Sequence, residues 1–198
     1  MDKETRSFDC ELRGEEGLRL VGVAAVTNTR AELYGFDEII LPGAFRESIE
    51  RDDIRALWNH DTSFVLGRNR SGTLRLREEP VGLVVEIDLP DTSYARDFHH
   101  VVARGDVSQM SFGFTVEDEA WEDGESRPVR KIGKVKLWEV SPVTFPAYEQ
   151  TRVIARSALA RAEELGRHRS CRTPRDGCLM ERLRVVRLIV DRYGGRNG

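Results

Sequence analysis

The sequence predicts an α+β fold that is mainly β, followed by a helical C-terminal tail. Short runs rich in branched apolar residues, several of them alternating with polar residues, are typical of strands. Within the body of the chain, helical spacing of apolar residues occurs only near residues 44–50 and 93–104. After Thr151 the composition changes and the chain becomes rich in arginine. We therefore expect one domain over residues 1–155 and a separate tail over residues 156–198.

Length and composition indicate a globular protein. The chain has 198 residues, of which 39% are hydrophobic and 33% are charged, so it can bury a core. No apolar run approaches the roughly 18 residues that span a bilayer, and no apolar stretch follows the N-terminus, so we expect neither a membrane span nor a signal peptide. Cys10, Cys171 and Cys178 are too few and too scattered for a disulfide framework, which indicates a reducing cytoplasm.

The first elements of the body have local signals. Residues 18–26 form a short apolar run with several branched side chains, which favours a strand. Phe45 and Ile49 lie four residues apart, as on one face of a short helix over residues 44–50. Residues 53–60 are again typical of an extended segment.

Strand signals return later in the body. Residues 73–77 and 82–89 predict a β-hairpin. Residues 107–116 and 135–140 predict two further strands, separated by a polar, hairpin-like stretch over residues 117–133.

The clearest helix is predicted over residues 93–104. Its apolar stripe consists of Tyr94, Phe98, Val101 and Val102. Asp91 or Thr92 can cap its start, and Gly105 stands where a left-handed C-terminal residue is favoured.

The tail differs from the body in charge. Residues 151–198 contain 12 arginines, no lysine and five acidic residues, a net charge of +7, which leaves −10 on the first 150 residues. Helix-like patterns over residues 153–165 and 179–193 flank a predicted linker over residues 166–177. A basic tail fits either an acidic partner such as nucleic acid or a solvated helical face.

Ser111 is a candidate nucleophile. In the strand predicted around it, Phe112, Phe114 and Val116 alternate with Ser111 and the small residues Gly113 and Thr115. A serine among small residues on one face of a rigid strand can be reached by a substrate. A core serine whose hydroxyl bonds to the backbone fits the same alternation.

His60 is the candidate general base among four histidines. It ends a predicted strand in which Ile54, Ala56, Trp58 and His60 share one face. Histidine titrates near neutral pH, which suits proton transfer, although a histidine that completes a core face fits the pattern as well. His99 and His100 are neighbours on the predicted helix, and His168 lies in the predicted linker.

Glu139 is the candidate residue for orienting the imidazole. Alternation along residues 135–140 places it on the face of Val135 and Leu137, where an unpaired carboxylate costs several kcal/mol. It therefore needs a partner, which can be a histidine or an arginine. Asp61 and Asp106 are rival acids, although loop positions explain both.

Motifs for nucleotide and metal binding are absent or weak. Neither a GxxxxGK[ST] loop nor a GxGxxG motif occurs. His168, Cys171 and Cys178 supply at most three metal ligands at an unusual spacing. We therefore expect no cofactor and no metal.

Four segments, taken in order, carry a family resemblance. They are residues 35–45 (GFDEIILPGAF), 57–61 (LWNHD), 105–114 (GDVSQMSFGF) and 137–147 (LWEVSPVTFPA). In this order they resemble the prohead serine proteases of tailed bacteriophages, and the resemblance covers about residues 18–155.

The resemblance implies a serine endopeptidase of capsid maturation, distantly similar to the herpesvirus assemblins. It implies a closed β-barrel-like core surrounded by helices. His60 then matches the base and Ser111 the nucleophile. Glu139 takes the third place, where the herpesvirus relatives are thought to use a second histidine. Ser108 is the alternative nucleophile.

The resemblance also implies partners and a location. Substrates are expected to be scaffold or major capsid protein segments inside an immature shell, and the protease itself. The enzyme is expected in the host cytoplasm, packaged as an oligomer inside the prohead, without a membrane partner. The tail over residues 156–198 then acts as a tether to scaffold or is removed by self-cleavage.

Two other functions remain open. A catalytically inactive relative would serve as an assembly or scaffolding module of the same fold. Alternatively, the arginine-rich tail would bind nucleic acid, although it contains no base-stacking aromatic residue except Tyr193.

Overall fold

The chain is mainly β. A computed structural model describes residues 2–8, 12–15, 17–33 and 35–145, and in these ranges it contains eleven strands, two α-helices and one 3-10 turn. The domain boundary predicted at residue 155 and the helices predicted within 156–198 lie outside the described residues, so the structure gives the helical tail no support. Among the helices described, none is long and apolar enough to cross a membrane.

The elements have the following bounds. The strands are β1 (Glu4–Phe8), β2 (Leu12–Glu15), β3 (Arg19–Val26), β4 (Arg30–Leu33), β5 (Phe36–Ile40), β6 (Arg55–Trp58), β7 (Asp61–Arg68), β8 (Leu74–Glu79), β9 (Gly82–Asp88), β10 (Gln109–Glu122) and β11 (Val129–Val143). The helices are α1 (Arg46–Arg51) and α2 (Ser93–Ala103).

The closed barrel expected from the resemblance is wrong, because the strands form two open sheets. The first sheet has seven strands in the order β1-β10-β11-β5-β4, with β6 and β7 off this path, and the second has the order β2-β3-β9-β8. A barrel closes only when its last strand pairs with its first. Within the part of the chain that is described, no strand pairing joins the two sheets.

One edge of β11 is shared by several elements of the first sheet. β5 pairs in parallel with the start of β11, and β6 pairs in parallel with Glu139 and Val140 further along the same edge. Between them, Ala44 O accepts a hydrogen bond of 3.1 Å from Val135 N, and Ser48 Oγ accepts one of 2.7 Å from Leu137 N. The edge is thus divided among β5, the turn before α1, α1 itself and β6, and the sheet continues from it in two separate arms, through β5 to β4 and through β6 to β7.

One hydrophobic core joins the two sheets. The first sheet contributes Phe112 and Phe114, the second Leu20 and Leu83, and α2 contributes Phe98, all of them fully buried. The strand alternation predicted for residues 107–116 correctly identified Phe112 and Phe114 as core residues.

Most predicted elements are present, with some differences in extent. The hairpin is formed by β8 and β9, and α2 follows the predicted helix. Thr92 is the N-cap residue of α2 but makes no side-chain capping hydrogen bond, while Gly105 has the expected positive φ of 84°. β10 and β11 continue through most of the polar stretch at residues 117–133, because their outer ends pair with each other.

A buried cluster of four charged side chains fixes β1 to the first sheet. Arg6 donates to Glu38 at 2.6 and 2.8 Å and to Glu4 at 2.7 Å. Arg130 donates to Glu4 at 2.8 and 2.9 Å and to Glu38 at 3.1 Å. Burial alone would raise the pKa of Glu4, but Arg130 and Arg6 lower it below its ordinary value. The four side chains carry two positive and two negative charges, and Arg130 also donates to the less buried Glu119 at 2.6 Å.

We expect Glu4→Gln to lower the free energy of unfolding by about 3–5 kcal/mol, because Arg6 and Arg130 would share one carboxylate fewer in a buried site. Urea unfolding at neutral pH measures the loss. Glu50→Gln, at an exposed position of α1, is the control and should change the same quantity by less than about 0.5 kcal/mol. Equally small changes in both variants would contradict a stabilising role for the cluster.

Candidate active site

Glu139 lies buried on β11, on the face opposite to the one predicted. It pairs with Gly113, while Phe114 pairs with Leu137, so a β-bulge at this point leaves Trp138 unpaired. The bulge changes the alternation of β11. Leu137 therefore faces the core with Phe114, whereas the carboxylate of Glu139 lies over Gly113 on the other side of the sheet.

Gly113 provides the space that the carboxylate occupies. A Cβ atom at this position would overlap Oε1 of Glu139 and would lie 2.6 Å from Cε of Lys3. The small face predicted for the strand around Ser111 is thus present, and it is covered by side chains from β11 and from the residue before β1.

His60 lies on a two-residue turn rather than on a strand face. Asn59 and His60 have φ values of 51° and 62°, and Trp58 pairs with Asp61 across the turn. Two successive positive φ values are typical of a type I′ hairpin turn, whose twist matches that of the flanking strands. The expectation that His60 shares a face with Ile54, Ala56 and Trp58 is therefore wrong, because the chain has already reversed at Asn59.

Hydrogen bonds from Asn59 attach this turn to the end of β11. Its backbone N–H donates to the carbonyl of Pro142 at 3.0 Å. Its side-chain amide donates to Thr144 Oγ1 at 3.2 Å and accepts from Thr144 N at 2.8 Å. The position of His60 relative to Glu139 is thus set by β6 pairing and by these three bonds.

His60 and Glu139 form a direct hydrogen bond. Nδ1 of His60 lies 2.8 Å from Oε1 of Glu139, and Ser141 Oγ donates to Oε2 at 2.6 Å. Lys3 Nζ lies 3.5 Å from Oε1. Burial alone would raise the pKa of Glu139, but His60, Ser141 and Lys3 hold it below its ordinary value. The carboxylate is therefore ionised at neutral pH, so Nδ1 carries the proton and Nε2 is the nitrogen that can accept another.

Ser111 lies on the same face of the β10–β11 pair as Glu139, but its hydroxyl is bonded to backbone. It is directly opposite Ser141 on β11 and Ser7 on β1, and opposed residues point to the same side of a sheet. Its Oγ donates to the carbonyl of Arg6 at 2.9 Å and is fully buried. Both sequence interpretations of this serine thus describe part of the structure. Ser111 lies on a face of small residues that also carries Glu139, and its hydroxyl is bonded to the backbone.

The rival residues make other contacts. Ser108 is exposed and precedes β10, with its carbonyl accepting a hydrogen bond from Leu12 N. Asp61 accepts from Ser63 N at 2.8 Å. Asp106 pairs with Arg104 at 3.0 Å on the surface.

The two other histidines in the described ranges, His99 and His100, give no second candidate base. Nε2 of His99 lies 3.1 Å from the carbonyl of Glu15, and His100 is exposed. His168, Cys171 and Cys178 lie outside the described residues. Within the ranges that the structure describes, no group of three or more His, Cys, Asp or Glu side chains could hold a metal ion.

Sequence reasoning missed four residues that contact the pair or its turn, namely Lys3, Asn59, Ser141 and Thr144. Asn59 had a usable signal, because asparagine is favoured at positive φ in hairpin turns. Ser141 is two residues from Glu139 in sequence, a spacing that places two side chains on one face of a strand. Lys3 and Thr144 had no local signal, because their contacts depend on pairing between distant segments.

A comparison with known protein families gives one match. The family described as caudovirus prohead serine protease matches residues 4–165. No curated protein and no solved structure matches the chain.

We expect Gly113→Ala to break the contact between His60 and Glu139, because the new methyl group would occupy the space of Oε1. The protonation of the His60 ring nitrogens, followed by ¹⁵N NMR, should change from one fixed tautomer to a mixture. Gly133→Ala is the matched control on β11, since its Cβ would meet mainly the carboxylate of the exposed Asp118, which can move aside. An unchanged tautomer in Gly113→Ala would contradict this geometry.

Two substitutions at Asn59 should separate its side-chain bonds from its backbone conformation. Asn59→Gly keeps the positive φ but loses both bonds to Thr144, and we expect it to lower the free energy of unfolding by about 1–2 kcal/mol. Asn59→Ala also places an alanine at positive φ and should lose about 1 kcal/mol more. Denaturant unfolding measures both values, and an alanine variant as stable as the glycine variant would argue against the left-handed turn.

Proposed function

Because the chain belongs to the caudovirus prohead serine protease family, we propose that it is a serine endopeptidase that cleaves capsid and scaffold proteins, and itself, during prohead maturation. We assign Ser111 as its nucleophile, His60 as the general base and Glu139 as the residue that orients the imidazole. The family supports the role in capsid maturation. The assignment of residues and substrates is our proposal.

The observation that carries the assignment is the hydrogen bond between His60 and Glu139. A buried, ionised carboxylate at 2.8 Å from Nδ1 leaves Nε2 to accept a proton, which is the arrangement that a serine nucleophile requires. The described part of the chain offers no second histidine with such a partner. Two buried serines lie on the same face of the same two strands, and of these Ser141 donates its hydroxyl to Glu139, whereas Ser111 does not.

The proposed reaction is acyl transfer. The hydroxyl of Ser111 turns from the Arg6 carbonyl towards Nε2 of His60, which takes its proton as Oγ attacks a peptide carbonyl. His60 then gives this proton to the leaving amine, and an acyl-enzyme ester remains on Ser111. A water molecule then attacks the ester as His60 takes its proton, and His60 passes that proton to Ser111 Oγ as the ester bond breaks and the acid product leaves. Throughout, Glu139 stabilises the imidazolium without taking its proton.

Substrates and location follow from the same proposal. The substrates would be extended segments of the major capsid protein and of scaffold inside the immature shell, together with segments of the protease. The enzyme would be made in the host cytoplasm and packaged as an oligomer into the prohead.

One observation favours a second candidate, a catalytically inactive assembly module of the same fold. Ser111 is fully buried and its hydroxyl is bonded to Arg6, so attack on a substrate requires that bond to break. A module without proteolytic activity would keep this bond permanently.

We expect the wild-type protein, incubated for a day at neutral pH with its capsid or scaffold protein, to produce fragments that intact-mass analysis detects. Ser111→Ala should produce none, because the reaction has no other nucleophile. Ser108→Ala is the matched control, an exposed serine three residues earlier, and should cleave at the wild-type rate.

The other outcomes distinguish the alternatives. Cleavage by Ser111→Ala but not by Ser108→Ala would move the nucleophile to Ser108. An absence of cleavage by the wild type, also after co-expression with the capsid protein, would favour the inactive assembly module.

A further inference from the structure

Ser141 makes a contact with Glu139 that the proposed triad does not use. Its side chain is fully buried, and its hydroxyl donates to Oε2 at 2.6 Å. The other carboxylate oxygen, Oε1, faces Nδ1 of His60 at 2.8 Å. The two oxygens of Glu139 thus have separate partners, one from the strand that carries the glutamate and one from the β6–β7 turn.

The remaining surroundings of Glu139 would not hold the carboxylate in this orientation. Gly113 lies beneath Oε1 and has no side chain. Lys3 Nζ lies 3.5 Å from Oε1, but the Lys3 side chain is 52% exposed, and an exposed ion pair of this kind contributes little orientation. Without a bond at Oε2, the carboxylate could rotate so that the oxygen facing His60 turns towards the lysine.

We infer that Ser141 is a positioning residue of the active site: its hydroxyl fixes Glu139 so that Oε1 faces Nδ1 of His60. The inference rests on the proposed function and extends it by one residue. Ser141 differs from Ser111 in its partner: its hydroxyl donates to the carboxylate of Glu139, whereas that of Ser111 donates to the backbone carbonyl of Arg6.

The position of Ser141 in the sheet makes this bond rigid. Ser141 and Glu139 are two residues apart on β11, so their side chains point to the same side. The Ser141 backbone is held opposite Ser111 in the β10–β11 ladder. A donor on a paired central strand loses little freedom when it bonds to the carboxylate, so the bond orients Glu139 at low entropic cost.

Loss of the hydroxyl should have two effects on catalysis. The carboxylate would be less well oriented, which slows proton transfer to His60 at every pH. The pKa of Glu139 would also rise, because Ser141 is one of the groups that lower it, so the carboxylate would become protonated at a higher pH than in the wild type. His60, Ser141 and Lys3 are the groups facing this carboxylate, so a change at Ser141 leaves only His60 and Lys3 to hold its charge.

The test uses the full chain and a fluorophosphonate probe, so that it does not depend on the natural substrate. An activated serine forms an Oγ–P bond with the probe, the P–F bond breaks, fluoride leaves, and the hydroxyl proton passes to His60. We expect Ser141→Ala to be labelled about tenfold more slowly than the wild type at neutral pH, the size of a lost hydrogen bond to a charged group. The acid limb of its pH–rate profile should move to higher pH.

Two further variants separate positioning from structural support. Ser141→Thr keeps the hydroxyl and should label within about threefold of the wild type, even where its extra methyl group lowers Tm. Ser48→Ala removes another fully buried serine hydroxyl that donates to a carboxylate, that of Asp52 at 2.7 Å. It should lower Tm, also because Leu137 N loses its acceptor, but keep the wild-type pH profile, because neither Ser48 nor Asp52 is among the groups that lower the pKa of Glu139.

The same labelling experiment distinguishes a failure of this inference from a failure of the proposed function. Labelling of Ser141→Ala at the wild-type rate, with an unchanged acid limb and with Ser111→Ala unlabelled, would overturn the inference and leave the proposed nucleophile in place. A slowed Ser141→Ala that Ser141→Thr does not rescue would also overturn it, because packing rather than the hydroxyl would then matter. Labelling of Ser111→Ala would overturn the proposed function itself.

Discussion

The antiparallel pairing of β10 with β11 is the interaction on which the first sheet and the candidate site depend. Its register sets Gly113 against Glu139 and Ser111 against Ser141, and it changes by one residue between Gly113 and Phe114. β1 pairs with the other edge of β10, and β5 and β6 use the other edge of β11. One side of this pair of strands therefore faces the core and the other carries the candidate site. The bulge at Trp138 places Glu139 on the side of the site.

The buried carboxylates of this sheet differ in the partner that neutralises their charge. Glu4 and Glu38 meet buried arginines, which keep their charge at any physiological pH and make the cluster a permanent structural link. Glu139 instead meets a histidine whose side chain is 32% exposed. Histidine can gain and lose a proton near neutral pH, so the second arrangement can take part in proton transfer while the first cannot.

The sequence was informative wherever a structural feature depends on neighbouring residues. The β8–β9 hairpin, α2 and the core role of Phe112 follow from local spacing, turn residues and alternation. Local patterns also selected His60 and Glu139, which the structure brings into contact. Their assigned catalytic roles remain a prediction.

Features that depend on distant pairing could not be predicted in the same way. The barrel expectation failed because closure depends on which strands pair at the sheet edges, and the resemblance carried no information on the division of the β11 edge. The predicted face of Glu139 failed because alternation assumes an unbroken strand, whereas the bulge inserts one residue. The predicted strand at His60 failed because the preference of Asn59 for a left-handed turn was not used, and because the bonds that support the reversal come from Thr144, a residue 85 positions away.

The turn at Asn59 and His60 also limits how related chains can diverge. It contains only two residues between paired strands, both at positive φ. The hydrogen bonds of Asn59 to Pro142 and Thr144 form only when the turn has this length. An insertion or deletion of one residue would change the turn type and rotate the imidazole away from the carboxylate. In family members that use this histidine–glutamate pair, we therefore expect the length of the β6–β7 connection to be invariant, even where its flanking residues differ.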